Sequence, residues 1–535
     1  MNPDLILYNG IIHTQDDSLP FARAVAVSGN RILAVGDDTD ILSLASQETS
    51  IIDLEQKLVL PGFIDSHFHF YDFALNYDSI DFSKVPSFVE MENTIVKKTA
   101  HIPKGHWILG QGFNESDWPE NRMPDRYDLD RVAPEHPVCI WRCDLHLAVA
   151  NSMALERAGI RPDTPNPPEG VIVKDGTGTP TGVLRELAAN LIKDAVPEQS
   201  DETVMQNIQK AVKDVHALGM TSIHDIRLMG GRDGVDALRV WRKLRAEDRL
   251  DIRCHVALPG EMTDQAIVQG LHTGAGDDRL KIGHLKFFAD GGMGARTAWM
   301  KEKYLDAEYG MPLTPVDEIE AAIIKADPAG LSAMVHCVGT KANQKIIDMF
   351  ERLEQKNALI PLIPHRIEHL QMIEPEDLAK LATLQHVVAS CQPNNLSLDI
   401  SMIEMCVGEK GKYTYMLKSI LDTGIPLMLS SDAPVCDPNP LAGIYSAVTR
   451  KRMNHTPEQG WHKEQAITVE EAVKGYTITP AIASGVGNRL GSISKNKFAD
   501  MIVLHRNIFT VEPDEIADVK IALTIFDGKI VYNST

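Results

Sequence analysis

Leu60-Pro61-Gly62-Phe63-Ile64-Asp65-Ser66-His67-Phe68-His69 is the stretch whose reading decides the fold. It follows the apolar run Leu58-Val59-Leu60. It therefore reads as a buried strand broken at Pro61-Gly62, then a second short strand ending in His-x-His. Strand side chains alternate, which puts His67 and His69 on one face, a few ångströms apart. Two imidazoles so presented can grip one divalent cation. The plainer reading is two core or solvent-facing histidines that merely alternate, and the rest of the chain decides between them.

Downstream the pattern becomes regular. Ser200 is placed to cap a helix whose apolar face is Val204, Ile208, Val212, Val215 and Leu218, Gly219 ends it, and Thr221-Ser222-Ile223-His224 is a strand. Further strands are expected at Ile252 to Ala257, His284 to Phe288, Ser332 to His336, Arg366 to His369, Val387 to Ser390 and Pro426 to Leu429. Helical patterns lie between them, as at Pro315 to Lys325 and Pro375 to Leu384. With the His67/His69 strand this makes eight β-then-α units, which close naturally into an α/β fold of the (β/α)8 TIM-barrel type, expected over 60–484.

Both chain ends have another texture. Short β-rich runs alternate with turns such as Asn9-Gly10 and Gly29-Asn30, which are hairpin signals. The same pattern returns at Met501 to Leu504 and around Asp527-Gly528. Residues 1–59 and 485–535 are thus expected to form one composite β-sandwich domain. The segment 70–215, with Trp107-Ile108-Leu109-Gly110 and a proline-rich turn at 162–168, is too long for a loop and reads as an inserted subdomain after the first barrel strand.

The chain has 535 residues, 53 Lys plus Arg against 74 Asp plus Glu, and a net charge of −21. That balance disfavours nucleic acid or an anionic membrane surface as a partner. No apolar run reaches the roughly 20 residues of a membrane helix, and Met1-Asn2-Pro3-Asp4 does not begin a signal peptide, so a cytoplasmic location is expected. Seven scattered cysteines without a Cys-x-x-Cys pair suggest reduced thiols rather than a disulfide framework. A metal, if held, would have nitrogen and oxygen ligands.

In such a barrel the reacting groups sit at the carboxyl ends of the strands. His67 and His69 fall on the first strand, Lys286 on the fourth, His336 on the fifth, His369 on the sixth, and Asp432 just after the eighth. Imidazoles with a carboxylate suit zinc, although manganese, iron and cobalt accept the same donors. Each residue also has a plainer role: His336 and His369 as satisfied core histidines, Asp432 as a helix cap, Lys286 as a paired strand lysine. An ammonium has no lone pair, so Lys286 would ligate only as a carbamate formed with carbon dioxide. One shared site explains these coincidences better than independent roles do.

The opening motif Leu60 to His69 and the closing motif Gly491-Ser492-Ile493 through Ala499-Asp500-Met501-Ile502-Val503-Leu504 resemble those of the amidohydrolase superfamily. The YtcJ-like branch, amidohydrolase type 3, is the nearer match. Its features look like Asp144-Leu145-His146, Asn151 to Leu155, Lys286-Phe287-Phe288-Ala289-Asp290-Gly291, His336-Cys337-Val338-Gly339, Arg366-Ile367-Glu368-His369 and Ser431-Asp432-Ala433-Pro434. Where the branch carries an acid and an arginine beside the fifth-strand histidine, this chain has Thr340-Lys341.

The resemblance implies a metal-dependent hydrolase of amide, N-acyl or cyclic-amide C–N bonds acting on a small-molecule substrate, with Asp432 as both ligand and proton shuttle. A carbamate on Lys286 would give two ions, an unmodified lysine one. His146, Trp118 and Asp290 are substrate-contact candidates, and each has a structural alternative: an anchor in the insert's core for His146 and Trp118, a loop cap for Asp290. A mononuclear deaminase of heterocyclic amines is the competing reading and a non-catalytic barrel protein the third. A homodimer is the expected assembly.

Overall fold

The central sheet has eight parallel strands in sequential order: β1 (Phe63–Phe68), β2 (Met220–Asp225), β3 (Arg253–Pro259), β4 (Leu280–Phe288), β5 (Ala333–Cys337), β6 (His365–His369), β7 (Val387–Cys391) and β8 (Leu427–Leu429). The computed structural model describes residues 2–143, 145–168, 170–229, 233–359 and 361–534. Hydrogen bonds close the barrel between its first strand and the end of its last: Ser66 Oγ donates to Leu429 O at 3.1 Å, Asp432 N to His67 O at 2.8 Å and His69 N to Ala433 O at 2.9 Å. The strands are buried along nearly their whole length, as parallel strands covered by helices must be. The helices fall where the apolar periodicity puts them, at Asp201–Ala217, Val316–Ala326 and Pro375–Leu381 among others.

The chain ends form two sheets. One has the order Arg31–Gly36, Ala24–Ser28, Leu5–Tyr8, Ser50–Asp53; the other runs Lys529–Asn533, Ile521–Phe526, Met501–Leu504, Leu58–Pro61, Ile11–His13, Phe21–Ala22. Leu7, Val25, Val59, Met501, Val503 and Ile525 share the apolar core of these strands. The turns at Gly29-Asn30 and Asp527-Gly528 join antiparallel neighbours. Asn9-Gly10 does not make a hairpin. Leu5–Tyr8 pairs with Ala24–Ser28 and Ser50–Asp53, whereas Ile11–His13 pairs with strands of the other sheet. Asn9, at φ 57°, turns the chain from one sheet into the other because the apolar residues on each side serve different layers.

Pro61-Gly62 is the crossing from this region into the barrel. A Cβ on Gly62 would lie 2.2 Å from Thr221 Oγ1, so only glycine lets β1 pass β2 this closely. The junction is fixed by Arg253, whose guanidinium donates to both oxygens of Asp500 at 2.7 and 3.0 Å and to Asp527 at 2.9 Å.

The chain folds as two compact units. One holds the barrel and the terminal sheets; the other is built mainly from Tyr71–Asn207. The expected insert ran to 215, but from Ile208 onward the helix belongs to the barrel unit, where Ile208, Ala211, Val212 and Val215 are buried. The insert has its own six-stranded sheet, ordered Gly170–Lys174, Pro180–Glu186, Leu147–Ala150, Val138–Arg142, Ile108–Phe113, Ile80–Asp81, with its own apolar core. No disulfide joins the cysteines, and no helix among the described residues is long and apolar enough to cross a membrane.

Candidate active site

His67 and His69 both point into the carboxyl end of the barrel, and their Nε2 atoms lie 3.3 and 3.2 Å from Asp432 Oδ1. These three donor atoms fall within 4.8 Å of one another, and all three side chains are buried. The ring of His369 is 4.9 Å from that of His67 and 4.4 Å from that of His336, and His369 Nδ1 is 4.0 Å from Asp432 Oδ2. Lys286 reaches in from β4, its Nζ 4.8 Å from the Phe288 ring centroid. The structure thus gathers the four histidines and Asp432 into one contiguous set, with Lys286 electrostatically coupled to Asp432.

The backbone helps to aim two of these groups. On a regular strand, His369 would face away from the side that carries Glu368. Instead His369 (φ 68°) and Leu370 (φ 42°) adopt left-handed conformations that end β6 and turn the imidazole inward. Asp432 is also left-handed, at φ 62°. Non-glycine residues held so are strained by about 1–3 kcal/mol each, and such strain concentrates at functional sites.

The electrostatics favour a cation. Burial, and then the charge of Lys286, hold His67 well below its ordinary pKa; burial and the neighbouring His67 do the same for His369. Both rings are therefore neutral and keep a lone pair. Burial pushes Asp432 up, but His69, His67 and Lys286 outweigh it and hold the carboxyl below its usual value. Burial lowers Lys286 to about 8, against the opposing pull of Glu368 and Asp432. Three buried atoms in this set, His67 Nε2, Asp432 Oδ1 and Lys286 Nζ, have no hydrogen-bond partner. Leaving polar atoms so is costly unless something else satisfies them. The imidazole nitrogens of His67 and His69 and a carboxylate oxygen of Asp432, all within 4.8 Å of one another, fit a divalent metal.

Of the remaining candidates, Asp290 belongs to the barrel unit, and Trp118 and His146 belong to the insert. Asp290 is fully buried and accepts backbone N–H bonds from Trp299 at 2.8 Å, Val338 at 3.0 Å and Gly339 at 2.7 Å, tying the loops after β4 and β5 together. His336 Nε2 lies 3.9 Å from it. Trp118 is 3% exposed in the core of the insert, its indole N–H donating to Val85 O at 2.9 Å. His146 is in the insert too, 2.7 Å from Glu186 Oε2, and Asp144 lies outside the described residues.

Two residues quoted above only as part of a motif, Arg366 and Glu368, are at the centre of the barrel. Glu368 Oε2 is 2.5 Å from His67 Nδ1, and Arg366 Nε donates to Glu368 Oε1 at 2.6 Å. The signal that points to them is an ion-pairable Arg-x-Glu on the inward face of a strand that has no water to solvate either charge.

A (β/α)8 barrel with a buried His-x-His on its first strand and an aspartate after its eighth defines a metal-dependent hydrolase. The amidohydrolase family model matches residues 50–532, and the chain belongs to that family. It is 30% identical to YtcJ of Bacillus subtilis (strain 168), named as an amidohydrolase, over 99% of both chains. It is 28% identical to N-substituted formamide deformylase of Arthrobacter pascens, again over 99% of both. A solved metal-dependent hydrolase from Pyrococcus horikoshii superposes with a TM-score of 0.77 at 26% identity, covering 95% of this chain and 99% of that one.

Proposed function

We propose that His67, His69, Lys286, His336, His369 and Asp432 hold one or two divalent cations, zinc foremost, and that the enzyme hydrolyses an amide, N-acyl or cyclic-amide bond of a small molecule. The observation that carries this reading is the trio of buried, unpartnered donor atoms on His67, Asp432 and Lys286. A cation held there supplies positive charge that acidifies water and polarises a carbonyl. Asp432 takes the proton of the attacking water and delivers it to the leaving nitrogen, because an amide anion is too basic to depart unprotonated. Asn395 Nδ2, 3.4 Å from Asp432 Oδ2, keeps that oxygen oriented.

Lys286, lowered to about 8, offers a useful fraction of free amine near neutral pH. Its nitrogen can add to carbon dioxide, releasing a proton and leaving a carbamate oxygen anion able to bridge two ions. The Arthrobacter pascens relative's name puts N-substituted formamides first among substrates to screen.

The test is metal content per chain by elemental analysis, on wild type and Lys286→Ala. Two ions falling to one or none supports the carbamate-bridged centre. One ion, indifferent to Lys286, moves the reading to a mononuclear site and brings heterocyclic amines into the screen. No bound metal in wild type purified with zinc sinks the site.

A further inference from the structure

His67 has two ring nitrogens with different fates. Nε2 faces Asp432 Oδ1, while Nδ1 is 2.5 Å from Glu368 Oε2, and both side chains are wholly sealed from solvent. Both neighbours are carboxylates, which only accept hydrogen bonds, and the contact at Nδ1 is 2.5 Å against 3.3 Å at Nε2, so the proton on the ring belongs on Nδ1 and the lone pair on Nε2. Glu368 itself is held by a buried guanidinium. Arg366 Nε donates to Glu368 Oε1 at 2.6 Å, Nη1 to His224 Nδ1 at 2.9 Å and Nη2 to the Ser66 carbonyl at 2.6 Å. His224 in turn sits 3.2 Å from Ser484 Oγ. Ser66 is the residue before His67, so Arg366 grips the His-x-His strand by its backbone while aligning the carboxylate that grips it by its side chain.

We infer that Glu368, fixed in place by Arg366, is a positioning residue that sets the tautomer and tilt of His67 and thereby the affinity of the metal centre. The inference rests on the reading of His67 as a ligand. Both Glu368 oxygens are engaged, one by a donor that is always charged. An amide at this position cannot serve both neighbours. In Glu368→Gln the carbonyl oxygen turns to Arg366, which must donate, and the NH2 faces His67 Nδ1. That ring must then accept on Nδ1, which moves its proton to Nε2, where the cation would bind. Carboxylates that orient ligating histidines in this way typically contribute 10- to 100-fold in metal affinity.

The experiment is zinc affinity of the full-length protein by chelator competition, for wild type, Glu368→Gln, Glu368→Asp, His67→Ala and the His67→Ala/Glu368→Gln double variant. Expected is a loss on the order of 10- to 100-fold in Glu368→Gln. Glu368→Asp, which keeps an acceptor-only carboxylate, should recover part of it. In the His67→Ala background the Gln substitution should add little, because its effect runs through that ring; a merely structural role would weaken both backgrounds alike. Wild-type affinity in Glu368→Gln, or full additivity with His67→Ala, overturns the inference. If Glu368→Gln does not fold, Glu368→Asp decides: affinity equal to wild type overturns the inference, and an intermediate loss supports it. Unchanged zinc stoichiometry in His67→Ala would instead bring down the metal-site reading itself.

Discussion

The carboxylate of Glu368 on β6 and the imidazole of His67 on β1 meet 2.5 Å apart across the barrel interior, on strands that are not neighbours in the sheet. The contact joins residues 301 positions apart in sequence, yet each sits on a fully buried strand. The candidate centre therefore takes most of its geometry from the rigid sheet; His69, one residue past β1, and Asp432, three past β8, reach it from beyond a strand end. Substitutions around it should separate into those that alter chemistry, those that alter cation binding and those that alter the scaffold.

Asp432→Asn tests the chemistry. The amide is isosteric and keeps an oxygen where Oδ1 lies, so zinc content should stay near that of wild type. An amide cannot accept and return a proton, so kcat on the best substrate from the screen should fall by about 10²- to 10⁴-fold. A variant with at least half of wild-type kcat would take Asp432 out of the proton route.

Lys286→Met tests the conflict between stability and site. The amine is 2% exposed without a hydrogen-bond partner, and its pKa falls from 10.5 to about 8. A lysine whose folded pKa is depressed destabilises the fold fully below about pH 8, and the penalty fades as pH rises to 10.5. Removing it should make the metal-free protein more stable at pH 7, by about 3 kcal/mol at roughly 1.4 kcal/mol per pKa unit. The gain should shrink above pH 8. Thermal unfolding of the two chelator-treated proteins at pH 7 and pH 10 measures this; a less stable variant at pH 7 would show that Lys286 has a partner.

What was legible in the sequence follows physical lines. Parallel strands covered on both faces appear as short apolar runs, so the eight barrel strands could be placed from their rhythm, within a residue or two at most ends. The candidate donors were found because strand ends are where barrels put reacting groups. Glu368 was not singled out, because its role depends on a partner 301 residues away and local periodicity carries no information about pairing. The inward turn of His369 was equally hidden, since a leucine such as Leu370 does not announce a positive φ and a single histidine, though tolerant of one, does not mark where it falls. The switch of sheets at Asn9-Gly10 looked like a hairpin because both need the same turn residues.

Asp290→Ala separates a scaffold role from a substrate role. Its carboxylate accepts three backbone amides, those of Trp299, Val338 and Gly339. The approach is close enough that a Cβ on Gly339 would lie 2.2 Å from Trp299 O. Removing the acceptor strands those buried donors and should destabilise the fold on the order of 4 kcal/mol. A lower denaturation midpoint is the expected result. An unchanged midpoint with a raised KM would make Asp290 a substrate contact.

His216 and His255 predict how the scaffold responds to acid. Burial holds both imidazoles neutral, pushing His216 down to about 4 and His255 to about 3 from an ordinary 6.5. The unfolded chain takes up a proton at each below pH 6.5 while the folded chain does not, so stability is complete above that pH and falls as the solution is acidified. Each histidine should remove about 1.4 kcal/mol per pH unit until its folded value is reached. Comparing wild type with the His216→Gln/His255→Gln double variant cancels the contributions of other groups. Because the unfolded rings are still partly neutral at pH 6, the wild type should lose about 2.4 kcal/mol more than the variant between pH 6 and pH 5, read from thermal midpoints of metal-free protein. Parallel curves would mean that these two rings are already protonated, or solvated, in the folded state.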